Sequence, residues 1–279
     1  MNRKNAFAIA LIVVMGAIGG LWPAAAQESP AALVENTHYV LARPLGPRAN
    51  LRAAEGFPYG NTRRGRSPLH HGIDLINPRG TPVLAAADGV VYYAGPDTDR
   101  LFGPKANFYG NVIVIRHGIE GDGGTLFTLY GHVDTVEVQT DTPVTAGQRI
   151  GTVGAKGIAL GAHLHFEVRI GNPDDYNAVR NPELWYAPRP GTGMVMGRIF
   201  GPDGSRAYGV RFTIGNASRF YYSFSYEDPA PPSDSAFGEH FTLTDIPAGC
   251  YSFRVRGAYD APLCIEAGKT YFMDVRLAN

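Results

Sequence analysis

The chain has 279 residues, with 25 basic and 25 acidic side chains, 35 glycines and 21 prolines, and only 18% of its residues are charged. So balanced a charge makes no electrostatic case for nucleic-acid binding, and the glycines and prolines are too scattered for a collagen-like or disordered tract. Long helical patterns are hard to find beyond the N-terminus, so the composition predicts an all-β chain rich in turns, long enough for one or two domains.

The N-terminal stretch "MNRKNAFAIALIVVMGAIGGLWPAAA" (1–26) pairs Arg3 and Lys4 with an apolar run from Ala6 to Leu21 and small residues at Ala24 to Ala26. This reads as a secretory signal peptide cleaved after Ala26. The alternative is an uncleaved membrane anchor, because the run is near the lower length of a span. No cysteine sits at the cleavage site, which argues against a lipoprotein. The mature chain is therefore expected to be exported, without stable insertion in a membrane. Residues 27–45 read as an extended lead-in.

Residues 46–186 carry a glycine-punctuated strand pattern: "TPVLAAADGVVYYAG" (81–95), "GNVIVIRHG" (110–118), "GTLFTLYGHV" (124–133), "QRIGTVG" (148–154) and "HLHFEVRIG" (163–171). Turn signals such as "GDGG" (121–124) and "DTPVTAG" (141–147) separate them. "GDGG" reads as a hairpin loop and not a phosphate cradle, because no helical pattern follows it. Residues 187–193 are rich in Pro and Gly and read as a linker. Seven short alternating segments within 194–279 predict a small β-sandwich. In "RFYYSFSYE", Phe220, Tyr222, Phe224 and Tyr226 share one face; core packing is the expectation, ligand stacking the alternative. Export permits a Cys250–Cys264 disulfide, though two cysteines in a short hairpin can also face apart.

Two segments carry candidate chemistry. In "GAHLHFEVRIG" (161–171), a period of two puts His163, His165 and Glu167 on one strand face and Leu164, Phe166 and Val168 on the other. In "SPLHHGIDLINPRG" (67–80), His70, Gly72 and Asp74 share a face, with Gly72 expected to leave room for an ion or a substrate. His70, Asp74 and one imidazole of "HLH" make a His₂Asp set. Three protein ligands and an open position suit a catalytic zinc, whereas a structural site would want four, commonly with Cys. The remaining "HLH" imidazole and His132 of "LYGHVD" are suited to handle protons. Strand alternation alone does not decide whether His163 or His165 binds the metal. Glu167 either orients a ligating histidine or faces solvent. His71 is expected to pack behind the ligand strand, His117 to be structural, and His38 and His240 to lie on the surface.

"HHGIDL", "GTPVLAAADGVV", "YGNVIVIRHG", "LYGHV", "VTAGQRIGTVG" and "GAHLHFEVR" resemble, in this order, the catalytic domain of lysostaphin-type zinc endopeptidases, over about residues 55–172. The resemblance implies an antiparallel β domain with a groove, and zinc (Zn²⁺) held by His70, Asp74 and His165. It also implies catalytic roles for His132 and His163, and the cross-bridge or stem peptides of bacterial peptidoglycan as substrate. Family members often carry an Arg upstream of the first ligand. Here Thr62 or Arg63 stands near that place, and Tyr59 and Asn61 are candidates to reach the site. Residues 194–279, through "GRIFGPDG", "TLTDIPAGCYSF" and "EAGKTYFMDVRL", resemble carboxypeptidase-regulatory-like modules, which implies a spacer or adhesion unit. Three other functions stay open at this level: a non-catalytic wall-binding regulator on the same fold, an adhesion protein whose working part is the C-terminal module, and a zinc peptidase acting on proteins or free peptides.

Overall fold

The computed structural model describes residues 30–227 and 231–278. The segment read as a signal peptide lies outside the described residues, and no described helix is long and apolar enough to cross a membrane. Among the described residues, eighteen strands and a single 3₁₀ turn at Pro182–Leu184 form an all-β architecture.

The strands are β1 (Ala32–Leu33), β2 (Ile73–Ile76), β3 (Pro82–Leu84), β4 (Gly89–Pro96), β5 (Asn111–Gly121), β6 (Gly124–Gly131), β7 (Val133–Val136), β8 (Pro143–Val144) and β9 (Arg149–Val153). They continue with β10 (His163–Ile170), β11 (Val179–Arg180), β12 (Thr192–Phe200), β13 (Arg211–Gly215), β14 (Phe220–Phe224), β15 (Phe241–Pro247), β16 (Gly249–Val255), β17 (Tyr259–Ile265) and β18 (Thr270–Arg276). The first sheet runs β11-β10-β6-β5-β4-β8, and β2 also pairs with β10. A smaller sheet, β3-β9-β7, faces it. Between the two lies a core that takes Val83, Val133 and Ile150 from the small sheet and Ile113, Tyr130, Leu164, Phe166 and Val168 from the large one. Burying each such side chain fully contributes roughly 1.5–3 kcal/mol. Phe102, Tyr109, Phe127 and Leu129 form a second cluster on the opposite face of the large sheet.

The stretch 81–95, which reads as one strand, is two strands in two different sheets. Three consecutive buried alanines turn the corner, and the Ala86 amide donates to Tyr130 Oη at 2.8 Å instead of to a ladder.

The C-terminal residues form two four-stranded sheets, β1-β18-β12-β15 and β14-β13-β16-β17, that share one apolar core. The lead-in contributes β1 to this unit, pairing Ala32 with Phe272. Cys250 and Cys264 stand opposite each other on β16 and β17 and are joined by a disulfide.

The aromatic stripe does not fill this core. Tyr221 and Ser223 point inward, while Phe220 (60% exposed), Tyr222 and Phe224 lie on the outer face; Tyr226, beyond the strand, is buried against Tyr59. Period two correctly groups Phe220, Tyr222 and Phe224 but does not decide which set faces the partner sheet, and it does not extend to Tyr226, which lies past the end of the strand. His240 also departs from expectation: it is buried and bonds the Ala207 carbonyl at 3.1 Å. His38 is half-buried, stacked on Trp185 and bonded to Asp234 at 3.0 Å.

Candidate metal centre

Strand β10 organises the site. One edge pairs with β6, and the other with β2 and then β11, all antiparallel. In this register His165 lies opposite Asp74 on β2 and opposite Gly131 at the end of β6. As alternation predicts, Leu164, Phe166 and Val168 enter the core, and His165, Glu167 and Arg169 occupy the other face. His70 precedes β2 and is not on a strand. It is held by backbone bonds instead: Gly60 N–H donates to its carbonyl at 2.8 Å, and its own N–H donates to Asn61 O at 3.0 Å.

Three donor atoms converge. His70 Nε2 is 3.1 Å from Asp74 Oδ1 and 3.2 Å from His165 Nδ1, and His165 Nδ1 is 3.0 Å from Asp74 Oδ1. Their partners determine where the hydrogens are. A carbonyl oxygen only accepts, so His70 Nδ1–H donates to Pro58 O at 3.2 Å and the Nε2 lone pair faces the cluster. His165 donates Nε2–H to Glu167 Oε1 at 2.9 Å, which turns the Nδ1 lone pair inward. With both rings neutral, two lone pairs and a carboxylate oxygen would crowd one point, an arrangement that a cation, whether proton or metal, relieves. Ligand atoms about 2.0–2.1 Å from a tetrahedral zinc lie about 3.3 Å apart, so the observed triangle fits with little adjustment.

Glu167 is fully buried, so the solvent-facing reading is wrong. Besides His165 it binds Arg169 Nε at 2.7 Å and the Tyr109 hydroxyl. Arg169, equally buried, donates onward to Pro173 O and Phe102 O at 2.8 and 2.9 Å. A buried ion pair is favourable only when its remaining donors are satisfied, as they are here. Burial works against charge on His165, yet the Asp74 and Glu167 carboxylates raise its pKa to about 9. Proton and metal therefore compete for one strongly basic lone pair. Burial works against charge on Asp74 too, and His70 and His165 nevertheless hold it well below the usual carboxylate range.

His132 and His163 stand beside the cluster, their rings 4.7 Å apart. Each donates Nδ1–H to a backbone carbonyl, His132 to Lys156 O at 2.7 Å and His163 to Gly161 O at 2.9 Å. Each therefore keeps an Nε2 lone pair, and that of His163 is 3.5 Å from Asp74 Oδ1. Burial, with His165 and His163 nearby, lowers the His132 pKa to about 3; burial also lowers that of His163. Both imidazoles are thus neutral bases near pH 7. His132 takes a left-handed φ of 58°, an uncommon conformation that ends β6 and turns its ring toward the site.

Gly72 has a different use from the one expected. A Cβ there would come within 2.4 Å of Phe166 O and 2.9 Å of His165 Nε2, so the glycine admits β10 itself and not an ion. His71 bonds Tyr176 O at 2.8 Å behind the cluster, and His117 bridges Asp88 O and Thr128 Oγ1, both structural.

The cluster opens into a groove of about 340 Å³ whose walls include Phe57, Arg63, Phe108, Ile158 and Leu160. Tyr59 and Asn61 do not line it. Tyr59 packs under the loop against Tyr226, and Asn61 Nδ2 bonds Glu227 at 3.0 Å. Phe57 stacks on His70 at 4.1 Å, and Arg63 covers the Phe57 ring at 4.1 Å. Arg169 was legible as the next period-two position after Glu167. Phe57 and Leu160 had no such signal.

Residues 68–178 match peptidase family M23. The chain is 39% identical over 127 residues to the DD-carboxypeptidase/endopeptidase Mpg of Neisseria meningitidis serogroup B, covering 43% of this chain and 25% of that protein. It is 38% identical over 103 residues to the peptidoglycan DD-endopeptidase ShyC of Vibrio cholerae, covering 37% and 21%. The chain thus spans a quarter or less of the length of these two curated relatives. The solved catalytic domain of the antimicrobial peptidase lysostaphin from Staphylococcus simulans aligns at 29% identity, covering 47% of this chain and 90% of that one, with a TM-score of 0.39.

Proposed function

We propose, for a chain that carries a peptidase family M23 domain at residues 68–178, that it is an exported zinc endopeptidase hydrolysing peptide bonds in bacterial peptidoglycan. The observation that carries this reading is the convergence of three lone-pair donors beside two neutral imidazoles at the floor of an open groove. The names of the relatives supply the substrate class; the N-terminal sequence supplies export.

His70, Asp74 and His165 would hold the metal. When bound, zinc supplies a Lewis acid that makes water acidic enough to ionise at about pH 7 and polarises a carbonyl. The protein's own groups manage the protons. Nε2 of His132 or His163 takes a proton as water oxygen bonds the peptide carbonyl carbon. The imidazolium so formed stabilises the negative charge on the carbonyl oxygen. As the carbon–nitrogen bond breaks, it returns the proton to the leaving amine. Lys156 O and Gly161 O hold both rings in the tautomer this requires.

Incubating the purified protein with insoluble peptidoglycan should release soluble fragments bearing new amino groups, identifiable by mass spectrometry, and a chelator should stop the release. A protein that binds one zinc but releases nothing from peptidoglycan, while cleaving free peptides, would replace the substrate assignment and keep the chemistry.

Glu167→Gln is expected to weaken zinc binding about 10- to 100-fold, the usual effect of losing a carboxylate behind a ligating histidine. It should also lower thermal stability, because Arg169 is left buried without its counter-charge. Competition with a chromophoric chelator measures the first effect; wild-type affinity would remove Glu167 from the orienting role.

A further inference from the structure

We infer that the C-terminal sandwich is part of the framework of the metal centre, with Glu227 as a positioning residue that acts through the 59–63 loop on His70. The inference rests on the metal reading above.

The loop lies between two anchors. On one side the Gly60 amide and the Asn61 carbonyl bond the backbone of His70 at 2.8 and 3.0 Å. On the other, the Glu227 amide donates to the Gly60 carbonyl at 2.7 Å. The Glu227 carboxylate accepts from Asn61 Nδ2 at 3.0 Å and from the Thr62 hydroxyl. One tripeptide therefore ties residue 227 to residue 70.

Both side chains that Glu227 grips also shape the loop. Asn61 Oδ1 accepts from the Arg63 amide at 2.8 Å, and Thr62 Oγ1 from the Gly65 amide at 2.7 Å. Arg63, Arg64 and Gly65 are all left-handed, with φ of 52°, 61° and 75°. Two consecutive non-glycine residues in that region persist only where their surroundings hold them. The turn delivers Arg63 onto Phe57, and Phe57 onto the face of His70.

Gly60 shows how close the docking is. With φ of 76°, its position leaves a Cβ only 2.9 Å from Tyr226 ring atoms, so the loop lies directly on the residue preceding Glu227. Tyr59 adds an edge-on contact with the same ring at 5.1 Å. A freely attached spacer would not be expected to put a carboxylate and an aromatic ring into the loop that seats a ligand.

The test is zinc affinity by chelator competition, together with the visible spectrum of the cobalt(II) form, in the full chain. Glu227→Ala should lower zinc affinity about 10- to 100-fold, as loss of an orienting partner does, and alter the cobalt spectrum, while the metal-free protein still unfolds cooperatively. Glu227→Gln, which keeps the shape and one carbonyl acceptor, should recover most of the affinity. Arg254→Ala, on the exposed pair with Asp260 in the same sandwich, should match wild type. Wild-type affinity and spectrum in Glu227→Ala would overturn the inference alone. A wild-type chain that binds neither ion would overturn the metal reading and this inference with it.

Discussion

Asp74→Ala should leave the protein folded but without stoichiometric zinc, and hydrolysis should fall to background. Asp74 Oδ1 is the hub of the cluster, 3.1 Å from His70 Nε2, 3.0 Å from His165 Nδ1 and 3.5 Å from His163 Nε2. Its loss removes one of three ligands and the only negative charge among them. Partners one step removed from a metal typically change affinity 10- to 100-fold, so losing a ligand should cost more than about 100-fold. Asp74→Asn tests charge separately, since the amide keeps the shape but not the anion; it should resemble alanine. Metal analysis after dialysis against a weak chelator gives the answer. One zinc retained per chain in both variants would remove Asp74 from the ligand set.

His163→Ala should do the opposite: keep zinc and lose turnover. Its Nε2 lies 3.5 Å from Asp74 Oδ1, beside the triangle and not one of its three atoms, and its Nδ1–H is committed to Gly161 O. A positioned acid–base group contributes about 10²- to 10⁴-fold, so kcat should fall by that factor with the metal content unchanged. His132→Ala should behave alike. If the two rings share one proton's path, the double variant will be little worse than either single one, because groups acting as a unit are not additive. Loss of zinc in His163→Ala would exchange the roles of His163 and His165.

Much of this centre was legible because strand alternation is a local rule. It put Leu164, Phe166 and Val168 in the core and His165 beside Glu167 without knowledge of any other strand. Where the reading went astray, the deciding neighbour was far away in sequence. Gly72 looked like room for an ion; the Phe166 carbonyl fills that room, 94 residues on. The stripe from Phe220 to Phe224 was read with the correct alternation and the wrong face, because which face is inner depends on the sheet that packs against it. His240 and the Glu227 clamp follow from tertiary contacts with no periodic signature at all.

The β10 ladder also bears on when the chain can act. Its donors come from residues 70, 74 and 165, and the His165–Asp74 pair closes a span of 91 residues. Such distant pairing forms late and slowly, because the entropy of closing the intervening loop comes before any contact repays it. A slip of one residue would send His165 into the apolar core and Phe166 toward the groove. A nascent or half-folded chain therefore holds no assembled centre, and the three donor atoms come together only with the finished sheet. The long-range topology thus ties assembly of the three donor atoms to completion of the β10 ladder.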